Sequence, residues 1–177
     1  MPAILRATVE VYVEAGAHGT TTADQGRALE DLICYVFTQV PGISTTRRNE
    51  MNAFQTEEID IALWNDGHAD GFFFLPNIIL VECKNWSSRV SSSELSWFDT
   101  KLRNRGLNFG VLVAANGITG SAADLTAAHS IVASALGEGR RLVVIRSDEL
   151  LELTDSSHLV RLVKEKLCDL AVKGTVA

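Results

Sequence analysis

The sequence predicts an α/β protein in which a mixed central sheet is flanked by helices. Two observations carry that reading. Three strand signals follow one another between Ile43 and Lys84 with only turns between them, as in an antiparallel meander. Beyond Lys84 helices and strands alternate, as in parallel crossovers.

Taken in order, a first helix is expected over Pro2 to Ala15, although Val9, Val11 and Val13 are β-branched and weaken it. The stretch from Gly16 to Thr22 reads as a loop. A second helix, from about Asp24 to Gln39, follows from Leu29, Leu32, Ile33, Val36, Phe37 and Val40 at helical spacing, and Pro41-Gly42 stops it. Ile43 to Asn49 is a short, Thr-rich strand, and Glu57 to Trp64 is an alternating one. Asn65-Asp66-Gly67 is a turn signal. Asn77 to Lys84 is the third strand, with the buried-type run Ile78-Ile79-Leu80-Val81. Then come a helix over Ser92 to Arg105, a buried strand over Phe109 to Ala115, a helix over Ser121 to Leu136 and a strand over Arg141 to Ile145. The chain from Asp148 onward is mostly helical. No repeat, low-complexity block or linker divides it. A single domain over 1–177 is expected, with a core at about 24–115 and an α/β extension at about 116–177.

The 177 residues suffice to bury a proper core, and 46% hydrophobic with 21% charged residues is ordinary for a globular protein. No apolar run approaches the roughly 18–20 residues that span a bilayer, since the most apolar stretch, Phe72 to Cys83, is broken by Pro76 and Asn77. No membrane association is expected, and the N-terminus lacks the basic-then-apolar pattern of a secretory signal. Cys34, Cys83 and Cys168 are far apart and show no zinc spacing, which predicts reduced thiols in a cytoplasmic protein. The net charge of −6 argues against a free-standing, high-affinity nucleic-acid binder. The charge is uneven, however. Lys84 to Arg105 holds five basic residues against two acidic ones, a net +3, and Arg47-Arg48 forms a second basic pair.

The chemistry gathers on two strands. On the third, Ile79, Val81 and Cys83 share one face, while Glu82 and Lys84 share the other, about 6.6 Å apart at roughly 3.3 Å per residue. Charges in a strand of buried type are costly unless paired or bound to a metal. On the second strand Glu58, Asp60 and Ala62 share a face. If the two strands pair as a hairpin, Asp60 comes beside Glu82. Adjacent carboxylates raise each other's pKa unless a cation lies between them. Oxygen donors favour a hard cation such as Mg²⁺, with Mn²⁺ able to substitute. Such a site can cleave a phosphodiester: the metal polarises the phosphate and acidifies a water, and Lys84 orients that water, helps deprotonate it, or offsets charge on the phosphate. Glu30, at the margin of the apolar stripe of the second helix, is a candidate third acid.

Asp60 followed after 22 residues by Glu82-Cys83-Lys84 resembles the D…(D/E)xK signature of the PD-(D/E)XK nuclease superfamily. Gly26-Arg27-Ala28-Leu29-Glu30 resembles the helix Glu of its Mrr-like restriction endonucleases and of related resolvases. The element order is similar to that superfamily's αβββαβ core, and the resemblance covers roughly Asp24 to Ala115. It implies a restriction-endonuclease-like fold and Mg²⁺ ligation by Asp60, Glu82 and the Cys83 carbonyl. It implies a water-activating role for Lys84 and a supporting one for Glu30. Where Mrr-like members carry a Gln on the following helix, this chain reads Ser93-Glu94-Leu95-Ser96-Trp97-Phe98.

The function expected is Mg²⁺-dependent hydrolysis of DNA, in restriction or phage defence as the resemblance implies. A resolvase-like or repair nuclease is one alternative, and a catalytically silent binding module of the same fold is another. Candidate DNA contacts are Arg47, Arg48, Asn85, Trp97, Lys101 and Arg105, since bases stack on aromatics beside basic residues. Each charged residue taken singly also admits a plainer reading, a same-face ion pair worth about 0–1 kcal/mol. The loop Asn116 to Ser121 reads first as a capped turn and second as a phosphate contact at a helix N-terminus, which leaves room for a nucleotide-sensing domain. The four histidines carry no metal spacing. With no length for a separate target-recognition domain, a homodimer or a partner subunit is expected to supply recognition.

Overall fold

The computed structural model describes residues 1–84, 89–118 and 122–174, the side chains of 122–126 excepted. It contains α1 (Arg6–His18), α2 (Thr22–Thr38), β1 (Ile43–Met51), β2 (Glu58–Asn65), β3 (Ile78–Lys84), α3 (Ser92–Asn104), β4 (Phe109–Ala114), α4 (Ala122–Gly137), β5 (Arg141–Arg146), α5 (Ser147–Leu151) and α6 (Ser156–Lys173). The five strands form one sheet in the order β1-β2-β3-β4-β5. The β1–β2 and β2–β3 pairs are antiparallel, and the β3–β4 and β4–β5 pairs are parallel. The mixed sheet expected from the sequence is therefore present, and β3 is the strand at which it changes direction.

Period-two alternation sorts the sheet into two cores. Ile61 and Leu63, Ile79 and Val81, Val111 and Val113, and Val143 and Ile145 face α1, α2, α5 and the first half of α6. Leu80, Leu112, Ala114, Leu142 and Val144 face α3 and α4. Every residue of β4 is buried, as befits a strand covered on both faces. Phe37, Phe72, Phe98 and Phe109 are among the largest fully buried side chains. Burying each such side chain is worth about 1.5–3 kcal/mol.

The first helix departs from expectation: it begins at Arg6 and runs to His18. Residues 2–4 are extended instead and dock on the approach to α6, where Ile4 N–H donates to the Thr154 carbonyl and Ser156 N–H to the Pro2 carbonyl. That is a contact between the two ends of the sequence, invisible to local periodicity. Thr21 caps α2 by accepting from Asp24 N–H. Asn65, read as the start of a turn, is fully buried. Its amide donates to the carbonyls of Phe72, Leu75 and Pro76, and so shapes the long connection between β2 and β3. Among the described residues no helix is long and apolar enough to cross a membrane.

Two features bring α3 close to β3. A capping box at Ser91 and Glu94 starts the helix. Gly110 on β4 then lets it approach: a Cβ there would lie 2.7 Å from both the Leu102 side chain and the Phe98 ring.

Candidate active site

The β2–β3 ladder runs from Trp64↔Ile78 to Ile61↔Val81 and stops. Two residues further along β3, the Cys83 N–H is taken up by a side chain: it donates to the Asp60 carboxylate at 2.7 Å. Alternation breaks at the same point, since Ile59 joins the second core while Ile61 belongs to the first. The strands thus part at Asp60, and the gap is lined by charge.

Glu82 is 2% exposed. Its Oε1 receives the Lys84 ammonium at 2.8 Å. Lys101, from α3, donates to both of its oxygens, at 2.9 and 2.7 Å. Burial, and after it the Glu82 carboxylate, push Asp60 up to about 6, against the pull of the Cys83 N–H and the two lysines. Burial alone would lower Lys84, but the carboxylates around it, Glu82 foremost and then Asp60, together hold the ammonium above its ordinary value. A charged ammonium donates hydrogen bonds and accepts none. Here the Lys84 ammonium donates to the Glu82 carboxylate. Burial raises the Cys83 thiol well above its ordinary value, so that side chain is a neutral thiol.

The structure thus brings Asp60, Glu82 and Lys84 together. Glu30 comes from α2, which packs on the opposite face of the sheet from α3; its Oε2 accepts from Arg48 and Asn49 of β1 at 3.1 and 3.0 Å, and its charge acts on the Cys83 thiol. Among the described residues no group of three or more acids, cysteines or histidines gathers as a metal would require. The donor chemistry at Asp60 and Glu82 nevertheless suits a hard cation. Asp60 is a half-buried carboxylate beside the buried carboxylate of Glu82, and a cation there would relieve both.

The candidate DNA contacts are mostly engaged within the protein. Arg48 is paired with Glu30 and Asp31. Lys101 is 5% exposed and faces Glu82 rather than solvent. Arg105 is paired with Glu57, and Asn104 donates to the same carboxylate, which ties α3 to the β1–β2 hairpin. Arg47 is exposed, and Trp97 is 49% exposed on α3. Asn85 lies outside the described residues, as do Thr119 to Ser121 of the Gly-containing loop. The part of Lys101 in the site was missed from sequence. The signal was available, because Lys101 lies three residues after Phe98 and beside Leu102, on the buried stripe of α3.

No curated protein matches the chain. Residues 23–162, most of its length, match the family Mrr_cat, described as restriction endonuclease, whose superfamily typically uses divalent metals. With the mixed sheet and the charged gap between β2 and β3 in view, the chain belongs to the Mrr-type restriction endonuclease family of the PD-(D/E)XK superfamily.

Proposed function

We propose that this protein is a Mg²⁺-dependent endonuclease that hydrolyses DNA phosphodiester bonds in the restriction of foreign DNA. One observation supports this above the others: Asp60, Glu82 and Lys84 converge where β2 leaves β3, within a chain of restriction-endonuclease type. Asp60, Glu82 and the Cys83 carbonyl would hold the cation, with Mn²⁺ able to replace Mg²⁺. Bound there, it would polarise the scissile phosphate and acidify the attacking water. Lys84 offsets charge building on the phosphate and orients the water. Glu30 has a supporting role toward the metal or the water, with its carboxylate held by Arg48 and Asn49 of β1 and its charge acting on Cys83. Arg47 and Trp97 are the exposed members of the candidate DNA-binding set.

The 177 residues act as one nuclease domain, since β5 extends the same sheet as the catalytic strands. With a net charge of −6 and most nearby cations already paired, target recognition falls to a second copy or a partner subunit. Three free cysteines fit a reducing cytoplasm.

The test is cleavage of plasmid and branched DNA with Mg²⁺ or Mn²⁺ by wild type, Asp60→Ala and Lys84→Ala. Each substitution is expected to cost about a hundredfold or more in rate. Activity surviving both would overturn the site. Intact DNA binding without cleavage of any substrate would favour a silent binding module.

A further inference from the structure

The four groups that line the gap are balanced before any cation arrives, with Glu94 acting on Lys84 besides. Asp60 and Glu82 bring two negative charges, and Lys84 and Lys101 bring two positive ones. Lys101 does this from an unfavourable place. It sits on the buried stripe of α3 next to Phe98 and Leu102, where an apolar side chain would pack without desolvating an ammonium. Buried ion pairs contribute little net stability relative to apolar residues of similar volume. Fold stability therefore does not account for a lysine at this position. Its ammonium instead spans both oxygens of Glu82, the edge that a hard cation would use.

We propose that Lys101 is a positioning residue that stands in for cation charge at Glu82: it keeps the carboxylate aimed, and competes with a divalent cation for it. The proposal rests on the metal-dependent reading of the site. With Lys101 in place, a divalent cation raises the gap from neutral to doubly positive, which a buried site tolerates poorly. Without it, Glu82 keeps Lys84 as its one cation among the described residues, the four-group balance turns negative, and a cation is drawn in. The gap then holds a cation weakly on its own, and more firmly when the anionic substrate enters with it.

The experiment is Mn²⁺ binding to the full chain, read from the electron paramagnetic resonance signal of free Mn²⁺, with folding checked by thermal melts. Lys101→Met and Lys101→Gln are expected to bind Mn²⁺ at least about tenfold more tightly than wild type, and Lys101→Arg to resemble wild type. Arg140→Met breaks the 2.7 Å pair with Asp99 on the same helix and serves as the control for loosening of α3. It is expected to leave Mn²⁺ affinity unchanged. Adding Asp60→Ala to Lys101→Met is expected to abolish the gain. Unchanged or weaker Mn²⁺ binding by both Lys101→Met and Lys101→Gln overturns the proposal. So does an equal gain in Arg140→Met, or a gain that survives Asp60→Ala. Cleavage assays separate the two readings. Tighter Mn²⁺ binding without cleavage of any DNA by wild type upholds the role of Lys101 and sinks the nuclease reading. Cleavage by wild type with unchanged affinity in the Lys101 variants does the reverse.

Discussion

The ammonium of Lys101 and the carboxylate of Glu82 meet through two hydrogen bonds of 2.9 and 2.7 Å, with both groups buried. Removing the Glu82 charge strands Lys101, whereas removing Lys101 leaves Glu82 paired with Lys84. Glu82→Gln should therefore destabilise the protein by about 3–5 kcal/mol, the range for breaking one side of a buried pair. Lys101→Met added to it should recover much of that loss. Urea unfolding of the two single variants and the double variant measures this. A double variant no more stable than Glu82→Gln would show that the loss has another origin.

Asp60 gives a pH dependence of opposite sense to that of an ordinary paired carboxylate. Its folded pKa, about 6, lies above its ordinary value of 3.8. The native state therefore holds the proton more firmly than the unfolded chain does. The resulting contribution to stability is fully present below the unfolded value and is lost as pH rises through the folded one. In EDTA, Asp60→Asn should then be more stable than wild type by about 2–3 kcal/mol above pH 6, with the gain fading by about pH 4. Denaturant midpoints between pH 4 and 8 would test it. An equal gain at both ends would rule out ionisation as the cause.

Gly110 should be sensitive to the smallest enlargement. A methyl group there meets Leu102 and Phe98 at 2.7 Å, and both are fully buried. Gly110→Ala is expected to cost about 1–3 kcal/mol by overpacking. It is also expected to lower cleavage more than its stability loss explains, because α3 carries Lys101. Thermal melts and cleavage rates on the same preparation separate the two effects. Full activity with lowered stability would uncouple the helix position from the site.

Divalent cation should raise the melting temperature at pH 7.5, because a ligand that binds only the folded state stabilises by mass action. At a cation concentration a hundred times its dissociation constant, the gain is about 2.7 kcal/mol. The shift should vanish in Asp60→Ala and on adding EDTA. A shift that persists in Asp60→Ala would place the cation elsewhere.

What the sequence determined by itself is periodic or local. Alternation on β3 put Glu82 and Lys84 on one face, opposite Ile79, Val81 and Cys83; those three belong to or pack against the first core, while Glu82 meets Lys101 of α3 and Lys84. Helical spacing in α2 and the order of elements foretold a mixed sheet with helices on both sides. Such features depend on neighbours a few residues away, and the repeat of the backbone fixes them. Tertiary structure decided the rest. For Glu30, helical phase says only that the residue faces the sheet, not which face of the sheet its helix covers. The chain's choice to pack α2 opposite α3 gave Glu30 to Arg48 and Asn49. Lys101 read as a surface cation, because its partner lies 19 residues away on another element and is brought near by Gly110. The energy of a buried charge depends on what stands within a few ångströms of it, and only the packed fold sets that.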